Sequence, residues 1–125
     1  MSERNKRQFG VWMDKQHATV VGREKLETGN FVVLGHEKIV EPQHNPNENA
    51  SNHADNNAFH RLFKDIVSHM QNVDEIHVTG TGVAQEQFIH WLASSPHYKN
   101  VVAKESTSNK MSDESLIKYI SEKFN

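Results

Sequence analysis

Asp14 is the residue best placed for chemistry, because it directly follows the apolar run Phe9–Met13, which predicts a buried strand. An aspartate at the end of such a strand can hold the two divalent ions of a nuclease, provided that further carboxylates converge on it. The matching end of the fourth predicted strand carries Thr79 and Gly80, which offer no carboxylate. We therefore favour the simpler interpretation, in which Asp14 is a turn residue that bonds its own backbone.

A second candidate is the turn Gly80-Thr81-Gly82, which separates a predicted strand from a predicted helix. Free N–H groups at the start of a helix can bind a phosphate group. The dinucleotide-binding pattern needs a third glycine at the position that Gln85 occupies, so the pattern is incomplete. A tight strand-to-helix turn is the simpler interpretation, and a ligand at this turn stays open as an alternative.

Histidines and tryptophans offer weaker signals. The chain has nine histidines, and His36 and His44 have acidic neighbours, but no two histidines have the spacing that places zinc ligands on one helix face. Trp12 and Trp91 could stack on bases, yet each lies in register with an apolar strand or helix face, which indicates core packing. We predict no metal site, no cofactor and no catalytic residue.

The composition narrows the class of protein. The length of 125 residues is typical of a single domain. The absence of cysteine excludes disulfides and Cys-ligated zinc. The net charge of −2 differs from that of a strongly basic nucleic-acid binder. No apolar run approaches the ~20 residues of a membrane span, and the charged N-terminus is not typical of a signal peptide. We expect a cytoplasmic protein without a membrane partner.

Hydrophobic periodicity predicts the order β-β-β-α-β-α-β-α. The first two strands, Phe9–Met13 and His17–Gly22, form a hairpin, and a turn at Gly29-Asn30 leads to a third strand that is bulged at Gly35. The later elements are a helix whose apolar stripe runs from Phe59 to Met70, a strand at 75–79, a helix ending before Pro96, a strand at 100–104 and a helix from Ser112 to Phe124.

Three antiparallel strands followed by two β-α units predict a ribonuclease H-like α/β fold, with a mixed five-stranded sheet and helices on both faces. We expect a single domain over residues 9–125, preceded by a flexible basic tail over residues 1–8. Residues 41–57 contain two prolines, six asparagines and no large apolar residue. Such a segment buries too little surface to order itself, so it predicts a long mobile loop.

Three segments carry a family resemblance: Gly10–Ala18, Ile76–Phe88, and Lys110–Ile117 continued by Tyr119–Phe124. Together they resemble stand-alone bacterial translational-machinery-associated proteins, which are related to the central domain of archaeal and eukaryotic peptide-chain release factors and of Pelota. The resemblance covers most of the chain from Phe9 onward. The family has a lysine in the second segment at the position of Gln85.

The resemblance implies the ribonuclease H-like fold and association with the ribosome. In release factors, a loop with Gly-Gly-Gln follows the third strand and enters the peptidyl-transferase centre. The corresponding residues 41–57 contain no Gly-Gly pair, and their only glutamine, Gln43, lies between Pro42 and His44. The resemblance therefore does not imply peptide release, and the central domain of Pelota lacks the motif as well.

The leading hypothesis is a non-enzymatic binding module that associates with the ribosome, RNA or the translation machinery. A divergent metal-dependent nuclease that uses Asp14 is one alternative. A small-ligand or protein-interaction domain that kept only the fold, and that could associate with itself, is another. The candidate contact residues are Arg4, Lys6, Arg7, Asp14, Gln43, His44, Gly80, Thr81, Gly82 and Gln85.

Overall fold

The computed structural model describes residues 7–25, 28–38, 60–70 and 72–124. The strands are β1 (Gln8–Met13), β2 (His17–Lys25), β3 (Thr28–Lys38), β4 (Glu75–Gly80) and β5 (Val102–Thr107). Helix α1 occupies residues 60–67 of the described part, and α2 (Val83–Ser94) and α3 (Asp113–Phe124) follow β4 and β5. The predicted element order is confirmed. Among these helices, none is long and apolar enough to cross a bilayer.

The five strands form one mixed sheet in the order β3-β2-β1-β4-β5. The first three strands pair antiparallel, whereas β1, β4 and β5 are parallel to one another. The carboxyl ends of the parallel strands therefore lie together, at Met13, Gly80 and Thr107. The antiparallel pair of His17 and Lys38 lies at the same end of the sheet. We call this end the carboxyl edge.

The sheet is covered on both faces, because successive side chains of a strand point in opposite directions. Val11 and Val20 belong to a core that also contains Phe63 of α1 and Phe88 of α2. The next residues along the two strands, Trp12 and Val21, belong to a second core with Leu116 and Ile120 of α3. Helices α1 and α2 thus share one face, and α3 is the described helix that covers the other.

The hairpin between β2 and β3 is longer than predicted. Strand β2 continues past Gly22 to Lys25, and β3 already begins at Thr28. The predicted turn residue Gly29 therefore lies inside the strand, where its φ of 94° coincides with a register irregularity. Polar composition suggested a loop here, but an edge strand with one exposed face tolerates polar residues equally well.

The predicted bulge in β3 is confirmed, shifted by one residue. Val20 pairs with Gly35 and Val21 pairs with Val33, so Leu34 is the extra residue. Gly35 instead allows a side chain from another part of the chain to pack closely against the strand. A Cβ on it would lie 2.6 Å from the ring of His69, which packs against the strand.

The fifth strand begins and ends later than predicted. Val102–Thr107 replaces the expected 100–104, and its exposed pattern differs from that of a strand covered on both faces. The strand lies at the edge of the sheet, and Val102 is 48% exposed. The apolar run around Val101 was misleading, because pairing with β4 continues through polar residues to Thr107.

The predicted basic tail is shorter than expected. Gln8 is the first residue of β1, and the Arg7 carbonyl accepts backbone hydrogen bonds from Asp74 and Glu75 at 2.9 and 3.1 Å. The Arg7 N–H donates to Asp74 Oδ2 at 2.9 Å. Gln8 therefore belongs to the sheet, and Arg7 is bonded to the residues at the start of β4. The other predicted tail and loop residues, Arg4, Lys6, Gln43, His44 and the range 41–57, lie outside the described residues.

Candidate binding site at the carboxyl edge

Asp14 closes the turn that joins β1 to β2. Its Oδ1 accepts hydrogen bonds from the backbone N–H groups of Gln16 at 2.8 Å and His17 at 2.6 Å. The Asp14 N–H donates in turn to the His17 carbonyl at 2.9 Å. The predicted turn role of Asp14 is confirmed, since a single carboxylate satisfies two backbone donors that would otherwise need water.

The strand ends beside Asp14 offer it no second carboxylate. Thr79 is fully buried, and its hydroxyl hydrogen-bonds with that of Ser108 at 2.7 Å. Within residues 7–25, 28–38, 60–70 and 72–124, no three histidine, aspartate or glutamate residues lie close enough to hold a metal ion. Among the described residues, Asp14 therefore has no carboxylate with which to share a metal ion.

Replacing Asp14 by asparagine is expected to change the free energy of unfolding by less than about 1 kcal/mol, because an amide oxygen accepts the same two bonds. Asp14→Ala removes both bonds and is expected to cost about 1–2 kcal/mol, as capping losses do. Urea unfolding measures both values. Magnesium titrations of the wild type and Asp14→Asn should show equal heats, and a metal-binding signal lost only in the variant would contradict the turn role.

The Gly80–Gly82 turn is built for close packing. A Cβ on Gly80 would overlap the backbone carbonyl oxygen of Met13 on the neighbouring strand. Gly82 has φ 145° and ψ −82°, a conformation that essentially only glycine adopts. Thr81, between them, is exposed. The turn therefore brings β1 and β4 into contact and starts α2.

The buried side chain of Gln85 stabilises the Gly80–Gly82 turn through hydrogen bonds. This side chain has no exposed surface, and Oε1 accepts a hydrogen bond from the Gly82 N–H at 2.8 Å. Nε2 donates to the Gly80 and Ser106 carbonyls, each at 3.2 Å. This structural role replaces the predicted contact role of Gln85. It also explains why the turn is a poor phosphate cradle, since the Gly82 N–H is already occupied.

A cavity of about 580 Å³ opens next to the Asp14 turn, between the sheet and the start of α3. We call it the edge cavity. Its apolar surface comes from Trp12, Ala18, Met111 and Leu116. Its polar wall comes from β2, β3 and the segment before α3, and consists of His17, Thr19, His36, Glu37, Lys38, Lys110, Ser112 and Asp113.

Two contacts tie the start of α3 to the sheet and so shape the edge cavity. His36 Nε2 on β3 lies 2.9 Å from Asp113 Oδ2 in the first turn of the helix. The Trp12 Nε1–H donates to the Asn109 carbonyl at 3.2 Å. The predicted core role of Trp12 is confirmed, because the indole is 3% exposed and packs in the core under α3.

The charges around the edge cavity are unequally paired. The carboxylate of Asp113 contacts His36, and that of Glu37 lies 2.7 Å from His69 Nε2. Lys38 and Lys110 have no ion-pair partner within the part of the chain that the structure describes. Among the described residues, their ammonium groups are therefore exposed positive charges beside the edge cavity.

A second polar cluster lies under α3, on β4 and β5. The Ser106 hydroxyl hydrogen-bonds with His77 Nε2 at 2.8 Å and with the Tyr119 hydroxyl at 2.7 Å. Burial, together with Lys123 and Lys104, lowers the pKa of His77 below 6.5. Burial raises the pKa of Tyr119, but the hydrogen bonds from Ser106 and Thr79 and the charge of Lys123 outweigh it and lower that pKa overall.

This cluster was missed from the sequence, although a signal exists. His77 and Thr79 alternate with the apolar residues of β4, and Ser106 lies directly opposite Thr79 on β5. Alternation of this kind indicates that one face of the two strands is polar. The partner, Tyr119, comes from α3, and only the packing of that helix reveals it.

The pKa of His77 leads to a prediction about stability. Since the folded state binds the proton less readily than the unfolded state, stability is fully present above about pH 6.5 and is lost as the pH falls through the lowered value. Between about pH 7.5 and about pH 5.5, His77→Gln should lose less unfolding free energy than the wild type. The exposed His90→Gln serves as the control, and equal losses in all three proteins would contradict the prediction.

The candidate residues that the structure describes do not form one site. Asp14 and the Gly80–Gly82 turn share the carboxyl edge, where Met13 pairs with Gly80. Arg7 lies at the opposite end of β1, roughly 23 Å from Asp14 at about 3.3 Å per residue. The edge cavity adds residues that sequence reasoning did not place there, chiefly Lys38 and Lys110.

The fold is similar to that of archaeal translation-related factors. The crystal structure of Pelota from Thermoplasma acidophilum matches 96% of this chain and 34% of its own, with a TM-score of 0.58 and 14% identity. Pelota from Archaeoglobus fulgidus matches 96% of this chain and 32% of its own, with a TM-score of 0.61 and 11% identity. The crystal structure of an archaeal translation termination factor matches 85% of this chain and 31% of its own, with a TM-score of 0.50 and 11% identity.

These similarities concern the fold alone, because the identities are so low. The chain spans about a third of the length of the solved structures that it matches. No family model matches the chain, and no curated protein matches it by sequence. The resemblance to Pelota and to release factors is thereby confirmed at the level of the fold. Membership of a stand-alone bacterial group stays a prediction.

Proposed function

We propose that this chain is a non-enzymatic binding module of the translation machinery that contacts the ribosome or RNA in the cytoplasm. The observation that supports it most strongly is the fold, which resembles two Pelota proteins over 96% of the chain. Its structural similarity to a translation termination factor points to the same process. The proposal treats residues 9–125 as one domain.

The sequence and the carboxyl edge support binding rather than catalysis. The segment that follows β3 lacks a Gly-Gly pair, so the backbone freedom of a Gly-Gly-Gln loop is missing. Asp14 and Gln85 are engaged in fixing turns through their own hydrogen bonds. The proposed function therefore depends on a binding surface, and we assign no catalytic group to it.

Lys38 and Lys110 are the contact residues that we add to the proposal. Both side chains are exposed at the carboxyl edge and line the edge cavity. Amines without an ion-pair partner among the described residues can neutralise phosphates and release counterions, which makes binding to RNA dependent on salt. Arg4, Lys6, Gln43 and His44 stay proposed contacts on the strength of the sequence alone.

The test is sedimentation of the purified protein with ribosomes through a sucrose cushion at low and high salt. We expect co-sedimentation at low salt that weakens as salt rises. The double variant Lys38→Glu/Lys110→Glu should sediment less than Lys64→Glu/Lys99→Glu, a control with the same charge change at exposed positions elsewhere. Peptide release from labelled peptidyl-tRNA should stay at the level without protein.

Three outcomes would contradict the proposal. Absence of co-sedimentation at every salt concentration would remove the ribosome as partner. Equal weakening in both double variants would show general charge attraction, so that the carboxyl edge would have no special part in binding. Release of peptide above the blank would overturn the non-enzymatic assignment.

A further inference from the structure

We propose that the edge cavity is a binding site for a nucleotide, whose phosphate contacts Lys38 and Lys110 and whose base packs on the apolar surface around Trp12. This inference goes beyond the proposed function, because occupancy of the cavity needs no ribosome. Its volume of about 580 Å³ lies within the range of small-molecule sites, about 300–1,000 Å³.

The apolar part of the cavity favours a flat ring over a simple anion. Trp12 is 3% exposed and its Nε1–H is bonded to the Asn109 carbonyl, so it forms the base of the cavity, and the half-buried Met111 is more accessible to a ligand. Met111 lines the same surface, and its flexible thioether adapts to the shape of a ligand. An inorganic anion would leave this surface in contact with water, whereas a base would cover it.

The polar wall favours a ring with polar edges. Thr19 and His17 line the cavity beside the apolar surface, whereas the Ser112 hydroxyl is engaged with Ser115. Hydroxyl and imidazole groups both donate and accept hydrogen bonds, as the edge of a base requires. A fatty acid or a plain aromatic acid would leave these groups without partners, at a cost in binding free energy.

The charged side chains on the polar wall of the edge cavity favour an anionic ligand. The carboxylates of Asp113 and Glu37 contact His36 and His69, whereas the two lysines have no such partner within the described residues. Lysine binds phosphate as a compact point charge. Because Lys38 ends β3 and Lys110 precedes α3, the two amines approach the cavity from different elements.

Isothermal titration calorimetry with AMP, adenosine and inorganic phosphate tests the site on the full-length chain. We expect AMP to bind at least about tenfold more tightly than either adenosine or phosphate, since only AMP uses both the amines and the apolar surface. Lys38→Met and Lys110→Met should each weaken AMP binding, whereas Lys64→Met, on the exposed side of α1, should leave it unchanged.

A variant that keeps every charge distinguishes binding inside the cavity from general electrostatic attraction of AMP to the protein. Thr19→Phe fills the cavity from β2 and should abolish AMP binding while both lysines remain; its folding is verified by urea unfolding. AMP binding that is absent at about 10 mM, or equal in every variant, would overturn the proposal. A 5′-phosphorylated trinucleotide distinguishes the source: tighter binding than AMP indicates an RNA end, and equal or weaker binding indicates a free nucleotide.

Discussion

Phe63→Ala is expected to lower the free energy of unfolding by about 3–5 kcal/mol, the usual range for truncating a buried phenylalanine. Phe63 is 3% exposed and lies in the core that α1 and α2 form on one face of the sheet. Its ring centroid is 5.3 Å from that of Phe88 and 5.6 Å from that of Trp91. The substitution therefore removes a ring from the centre of an aromatic cluster.

The cavity left by this substitution cannot close easily. Helix α1 would have to move toward the sheet, but its other apolar side chains, Leu62 and Ile66, already pack there at 1% and 0% exposure. Interiors are close-packed, so a lost ring leaves a void rather than a collapsed helix. The transfer term and the cavity term then add, which places the expected loss in the range for large truncations.

Urea or thermal unfolding measures this loss, with Lys64→Ala as the control on the adjacent, exposed position of α1. The control should change stability by less than about 0.5 kcal/mol, as surface substitutions do. If Phe63→Ala costs less than about 1 kcal/mol, this face of α1 is not a buried core in solution.

Gly80→Ala is expected to cost about 3 kcal/mol, at the upper end of the range for overpacking. The added Cβ would overlap the Met13 carbonyl oxygen and lie 2.9 Å from Gln85 Oε1. A flexible side chain could move aside, but Met13 contributes backbone that is held in the β1–β4 ladder. The substitution must therefore separate the two parallel strands at the carboxyl edge.

Gly82→Ala is the matched comparison, two residues further along the same turn. A Cβ there meets nothing within 4 Å, so its cost arises only from the φ of 145°. Backbone strain of this kind costs about 1–3 kcal/mol. Amide exchange distinguishes the two: Gly80→Ala should expose amides of β1 and β4, whereas Gly82→Ala should loosen only the start of α2. Identical exchange patterns would show that the overlap is relieved elsewhere.

Much of the fold was predictable from local patterns. The stripe that includes Leu62, Phe63 and Ile66 has helical spacing, and all three residues are buried in the structure. The turn role of Asp14 follows from its position directly after an apolar strand, and its bonds to Gln16 and His17 confirm it. Both features depend on residues that are near one another in the chain.

Predictions that depended on distant neighbours fared worse. Strand β5 was placed too early, because the apolar Val101 and Val102 gave a stronger local signal than the polar residues that pair with β4. Gln85 was assigned to a partner contact, although it is fully buried and bonded to Gly80, Gly82 and Ser106. Composition cannot show that a polar side chain has found its partners inside the fold.

The order and class of the elements could be read from the sequence, because the periods of 2 and 3.6 residues are properties of local segments. The sequence also determined the absence of a Gly-Gly pair, and hence of a Gly-Gly-Gln loop. The edge cavity, in contrast, could be located only once the packing of distant segments was known. The edge cavity draws its residues from positions 12–19, 36–38 and 110–116. These segments meet because β2 and β3 pair in one register and because His36 holds Asp113 at the start of α3.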